Sequence, residues 1–203
     1  MVGVLGCRMF DYEGTQELDS FLSVDRFGYP CGKTAGMFYP DGAIFVSRDI
    51  FEEVGGFDEK LFLYGEDRDF AWRVWLARYI VRPCDTAFFH HASSCVGGTN
   101  YFRRYHSEKN VIRSMIKNYK KRTLLYTLPH YFLTSLLELC VMLFVNPKAV
   151  FKSYLSAYWW NIKNLPDTLR ERKIVQSKRK VSDKYIRKIM SKKIGKWFAF
   201  RKL

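Results

Sequence analysis

Glu66 and Asp67 are adjacent carboxylates where a loop closing on Gly65 enters a helix, a position from which an acidic side chain can project into a cleft. A carboxylate so placed can accept the proton of an attacking hydroxyl as the oxygen bonds to an electrophilic carbon. Asp67 is the candidate for that base, and Glu66 is the candidate to orient the acceptor or to hold the loop. Acidic residues in a first helical turn also cap unpaired N–H groups and oppose the helix dipole, the plainer account of the same pair. Asp67-Arg68-Asp69 further spells D-x-D. Residues two apart on a helix project about 200° from each other, so these carboxylates do not close on one ion; a metal-binding D-x-D belongs on a loop after a strand. Asp69 and Arg73, at i and i+4, are read instead as an ion pair along the helix.

Two further places offer ligands. His90-His91 ends a strand, and neighbours in a strand face opposite sides, so only one imidazole can enter a cleft; His90 is preferred. An imidazole ligates a divalent ion or hydrogen-bonds phosphate oxygens, although two histidines satisfied at a surface would read the same. Arg103 and Arg104, just past Gly97-Gly98, can close on a diphosphate through charge-assisted hydrogen bonds, or stand as solvated charge in a basic region.

These side chains need a scaffold, and the pattern predicts one of strands and helices. Residues 2–6 (VGVLG) suit a buried strand. Residues 11–42 are rich in Gly, Asp and Tyr and read as loops and short strands closing on a Pro40-Asp41-Gly42 turn, before a strand over 43–47. Ile50, Phe51 and Val54 predict a short helix over 48–54, ended by Gly55-Gly56 as a left-handed cap. Phe70, Ala71, Val74, Trp75 and Ala77 share one face of a helix predicted over 66–79. Strands follow over 80–81 and 86–89, separated by a turn at Pro83, and then a Gly/Ser loop over 93–100.

Gly55-Gly56-Phe57-Asp58-Glu59, followed by Leu63-Tyr64-Gly65-Glu66-Asp67-Arg68-Asp69-Phe70 and Arg73, resembles the G-G-F-D-E…Y-G-E-D-x-D…R signature of the family-2-type glycosyltransferases. The likeness is strongest to the rhamnosyltransferase-like branch that builds cell-surface polysaccharides, and it runs over nearly the whole chain. Asp41-Gly42-Ala43 resembles the glycine–alanine strand beside that family's active site. The resemblance implies an α/β fold, a partial GT-A (incomplete Rossmann-like) domain, and inverting transfer from a nucleotide-sugar donor to a glycan or lipid-linked acceptor. It implies Asp67 as base and His90 or His91 near a divalent metal (Mn2+ or Mg2+) or the diphosphate. The alternating strands and helices of a nucleotide-binding half, with its own D-x-D, do not precede Met1. The expectation is therefore an acceptor-side half, with most metal ligands and the donor site on a missing half, in the full-length gene or on a separate donor-binding chain.

Charge separates the chain into two characters. Residues 1–100 hold 9 Lys+Arg against 15 Asp+Glu, a net of −6, and residues 101–203 hold 25 against 5, a net of +20. Residues 124–145 form a long, largely apolar run in which His130 and Glu138 are the ionisable groups, bounded by Lys120-Lys121-Arg122 before it and Lys148, Lys152, Trp159 and Trp160 after it. Its length suffices to cross a hydrocarbon core, but Pro129 and Glu138 favour a helix hairpin embedded in the plane of the interface. The tail from Arg170 places Val181, Tyr185, Ile186, Ile189, Met190, Ile194 and Trp197 among lysines and predicts a basic amphipathic helix. An anionic membrane surface, at the cytoplasmic face of the cell membrane, is thus the expected partner. Nucleic acid is not, because a continuous apolar stripe has nothing to meet on phosphate. The segments are read as an acceptor-side half over 1–105, a membrane-embedded or interfacial helical region over 106–165 and a basic tail over 166–203. Five cysteines without a C-x-x-C pair suggest neither a disulfide framework nor structural zinc. A reading from another class is a non-catalytic membrane-surface docking protein derived from such a transferase.

Overall fold

The apolar run at the start of the chain extends well past residue 6. In the computed structural model, which describes residues 1–32, 36–91 and 100–196, Val2–Asp11 forms one strand, β1, with Val4, Cys7 and Met9 buried. After it come β2 (Glu17–Leu18), β3 (Phe21–Ser23), β4 (Phe38–Pro40) and β5 (Ile44–Val46). β1 carries β5 antiparallel at Val4–Gly6 and β2 antiparallel at Met9–Phe10, and its other edge takes β6 (Ile80–His91) in parallel. β3 and β4 form a separate antiparallel pair that lies against β1 at Gly6, where a Cβ would stand 2.4 Å from the Cβ of Pro40. Only glycine admits that approach.

The two strands expected over 80–81 and 86–89 are one. Pro83 sits within β6 opposite Gly6, and no turn separates the halves. The interruption is absorbed as a register shift, since Cys7 faces Cys84 but Arg8 already faces Phe88. Pairing along the full length of β1 outweighs the local turn preference of a proline, which strands tolerate at bulges.

Two helices connect β5 to β6. α1 (Arg48–Val54) matches its predicted bounds; Ser47 caps its start, and Gly55 ends it at φ 91° with Gly55 and Gly56 N–H groups returning to Glu52 and Phe51 carbonyls. α2 (Glu66–Leu76) is shorter than predicted. Arg78, at φ 70°, takes the left-handed position, with Arg78 N–H on the Trp75 carbonyl and Tyr79 N–H on that of Val74. A glycine-type stop made by an arginine leaves no signal in the sequence. α2 is also buried on every side from Arg68 to Leu76, where one apolar face was expected. Its polar residues are satisfied inside: Arg68 donates to the Gly28 carbonyl at 2.8 Å, and Arg73 binds Asp69 at 2.9 Å and the Val54 carbonyl at 2.8 Å.

Among the described residues, seven helical segments follow β6: α3 (Asn100–Asn118), α4 (Lys121–Val145), α5 (Pro147–Ala149), a π-helical turn at Val150–Leu155, α6 (Ser156–Lys163), α7 (Leu165–Lys178) and α8 (Asp183–Ile189). The single amphipathic tail helix expected from Arg170 is thus two helices, restarted by Ser182 as an N-cap. Ile186 and Met190, assigned to its apolar stripe, are buried in the protein. Ser191 N–H reaches the Val24 carbonyl, Met37 N–H the Ile189 carbonyl, and Gly195 N–H the carboxylate of Asp25. Asp25 also accepts from Phe27 and Tyr29, and burial pushes its carboxyl up to about 6. Trp197 and most of the 93–100 loop lie outside the described residues.

By contacts the chain divides differently from the three sequence segments. One unit comprises Met1–Asp58, Asp67–Gly97 and Lys178–Leu203, and the other comprises Glu59–Glu66 and Gly98–Ser177. The first holds the sheets, α1, most of α2, and α8; the second is helical.

The second unit has an inverted helix. α4 buries Thr123, Thr127, Tyr131, Ser135, Glu138 and Met142, a stripe at spacings of three and four that is polar but for its last member. Outward it shows Leu125 at 77% exposure and Phe144 at 91%, with Phe132, Leu133, Leu136, Leu137 and Val141 between them. The polar stripe meets its own partners: Tyr131 donates to Glu108 at 2.5 Å, while Glu138 pairs with Arg104 at 3.0 Å and with the Tyr154 hydroxyl. α4 is long and apolar enough to cross a membrane.

Candidate active site

The loop ahead of the acidic pair holds an unfavourable backbone. Phe62 and Tyr64 adopt φ 63° and 65°, a region in which non-glycine residues persist only when their surroundings impose it. α3 supplies that imposition within the helical unit. Lys109 donates to the Lys60 and Leu61 carbonyls at 3.0 and 3.3 Å, and Asn110 donates to the carbonyls of Leu61, Leu63 and Tyr64 at 2.8–3.2 Å. His106, buried, stacks on Phe102 at 4.4 Å and Phe62 at 5.8 Å between ring centroids. Arg103 stands over the Tyr64 ring at 5.4 Å, exposed at its outer side. Glu66, the last residue of this unit's loop, turns its carboxylate back to accept the Gly65 N–H at 2.9 Å. Of the two roles expected for Glu66, this bond is the loop-holding one.

Asp67 belongs to the sheet-bearing unit and is half-buried. Its Oδ1 accepts the Arg68 N–H at 2.6 Å. It shares an electrostatic neighbourhood with Tyr39, Arg68 and Asp41: burial holds the Tyr39 phenol well above its usual value, Arg68 opposes that, and Asp67 and Asp41 add to it. Tyr39 therefore keeps its proton, within electrostatic reach of both carboxylates. Asp41 is legible in the sequence as the middle of Pro40-Asp41-Gly42, but nothing in the pattern assigns Tyr39 to Asp67.

The histidines stand at the C-terminal end of β6, beside Phe10 and Asp11 of β1. His90 is exposed, and its Nδ1 donates to the carbonyls of Asp11 and Tyr12, both at 3.1 Å. A Cβ on Gly14 would come within 2.7 Å of the ring, so the turn after β1 is moulded round it. Only Nε2 is left for a ligand. His91 is half-buried, its ring 6.4 Å from that of Phe89. Arg104 differs from Arg103, being already committed to Glu138 and Tyr154 in the polar stripe of the helical unit. Among the described residues no group of three His, Cys, Asp or Glu side chains is placed to hold a metal ion.

Acid should loosen the loop. Desolvation, and then the charge of Lys109, push the His106 imidazole down to about 4, below the 6.5 of a free histidine. A group depressed on folding contributes stability that is complete above pH 6.5 and lost as pH falls through 4. The loss at pH 4 is on the order of 2–3 kcal/mol. Asp25, raised to about 6, works with the opposite sign over nearly the same window, so the effect is read as a difference. Urea unfolding at pH 7 and pH 4.5 should show a smaller acid penalty in His106→Phe than in the wild type. Equal penalties would place the titration elsewhere.

Comparison of the chain with protein-family models, with curated proteins and with solved structures finds no match.

Proposed function

We propose that the chain is the acceptor-side half of an inverting, nucleotide-sugar-dependent glycosyltransferase working at a membrane surface. The observation that carries the reading is the half-buried carboxylate of Asp67 at the start of α2, within electrostatic reach of Tyr39. Asp67 takes the proton from an acceptor hydroxyl as that oxygen attacks the anomeric carbon, and the nucleoside diphosphate departs from the opposite face. Of the two arginines read as diphosphate partners, Arg103 is exposed over Tyr64, whereas Arg104 has partners of its own. His90 can present Nε2 to phosphate oxygens. The donor nucleotide and most ligands of a divalent metal belong, in this reading, to a donor-binding half. Acceptor and donor sugar meet at the membrane, because the outward apolar residues of α4 need a lipid environment.

A second reading, a membrane-surface docking protein without catalysis, is favoured by that same apolar exterior, which demands no chemistry. Joining the chain to a nucleotide-binding half and measuring transfer from a labelled nucleotide sugar to membrane glycolipid separates the two. Transfer that needs both halves is the expected result. Membrane binding without transfer, across a panel of nucleotide sugars, would leave the docking reading in possession.

A further inference from the structure

In the helical unit, α6 and the π-helical turn before it carry two stripes side by side. Phe151, Leu155, Trp159 and Ile162, at spacings of four, four and three, are exposed, with Phe151 at 61%, Trp159 at 66% and Ile162 at 63%. One residue further round, about 100° on a helix, Lys152, Ser156, Trp160 and Lys163 line a groove of about 460 Å³ that Tyr105 of α3 and Trp159 complete. No carboxylate lines it, and neither Lys152 nor Lys163 has a carboxylate partner among the described residues. Lys109 lies 4.7 Å and Arg113 5.9 Å from the Trp160 ring, Lys109 holding the Lys60 carbonyl and Arg113 paired with Asp167 at 3.0 Å. Burial pushes the Tyr105 phenol up, which keeps its hydroxyl a donor. π-turns recur at functional positions, and this one is fixed in place: Ser153 donates to the Tyr101 carbonyl at 3.0 Å, and Asn161 of α6 to that of Lys109 at 3.1 Å.

We propose that this groove binds the phosphate headgroup of an anionic membrane lipid, with Lys152 and Lys163 as the charge partners and Tyr105 and Ser156 as hydroxyl donors. Phe151, Leu155 and Ile162 enter the acyl boundary beside it, and Trp159 sits between the two stripes at headgroup depth, where indoles favour the interface. The inference rests on the membrane-surface part of the proposed function and is independent of its sugar chemistry.

Flotation of the 203-residue chain with phosphatidylcholine vesicles, with and without phosphatidylglycerol, tests it. A lysine held near an anionic surface is worth about a five-fold gain in partitioning, so Lys152→Gln/Lys163→Gln should lower the phosphatidylglycerol-dependent binding about thirty-fold. Binding to phosphatidylcholine alone should survive. The exposed pair Lys184→Gln/Lys188→Gln of α8 removes the same charge elsewhere and should cost clearly less. Equal losses in both doubles would mean diffuse attraction and no site. Release from vesicles by millimolar inorganic phosphate, with no preference for phosphatidylglycerol, would make the groove a site for free phosphate and overturn the lipid assignment. Circular dichroism of both doubles guards against misfolding, and no transfer assay enters the result.

Discussion

Asp67→Asn, in the chain joined to a donor-binding half, should lower sugar transfer by about 10²–10⁴-fold, the range by which a positioned general base contributes. The amide keeps the shape and can still accept the Arg68 N–H that Asp67 now accepts at 2.6 Å. The unfolding midpoint should therefore stay close to that of the wild type, and the acceptor's KM should move little, because the base is engaged chiefly in the transition state. Transfer rates with wild type and variant at saturating donor decide it. Undiminished transfer would refute Asp67 as base and turn attention to Asp41, the other carboxylate acting on Tyr39.

The largest effect on folding should come from Asp69. Its carboxylate and the Arg73 guanidinium are both almost fully enclosed, and Arg73 also holds the last carbonyl of α1. Removing one partner of such a pair strands the other charge, at a cost of about 3–5 kcal/mol. Asp69→Ala should show that loss in urea unfolding. Asp69→Leu/Arg73→Met, which removes both charges, should recover a large part of it. A double variant no more stable than the single would mean that the bond to the Val54 carbonyl, rather than the ion pair, carries the effect.

The contrast between Asp67 and Asp69 shows what a sequence can disclose. The i, i+4 spacing of Asp69 and Arg73 predicts their pairing, and the pair forms, because helix geometry is local. Gly55-Gly56 predicts the end of α1 for the same reason. The neighbourhood of Asp67 was not legible: Tyr39 lies 28 positions earlier, near the end of a loop excursion over 11–42 whose path no periodicity describes. Lys109 and Asn110, which hold the strained loop, read as ordinary members of a basic helix. The inverted burial of α4 was legible only in part, as an apolar run interrupted by Glu138. That Glu138 faces inward while His130 stays exposed depends on α3 offering Arg104 to receive the carboxylate. The stripe assigned to the tail failed for a related reason. Ile186 and Met190 suit a lipid surface and a protein core equally, and which one they meet is decided by the Asp25 anchor far away in the chain.

That anchor also bears on how the molecule is made. The first unit needs residues 178–196 as well as β1, so a ribosome delivers every helix of the second unit before the first has its parts. The outward apolar surface of α4 therefore emerges while the sheet-bearing unit is still incomplete. A nascent chain of this kind displays a surface apolar enough for lipid before its sheet can close.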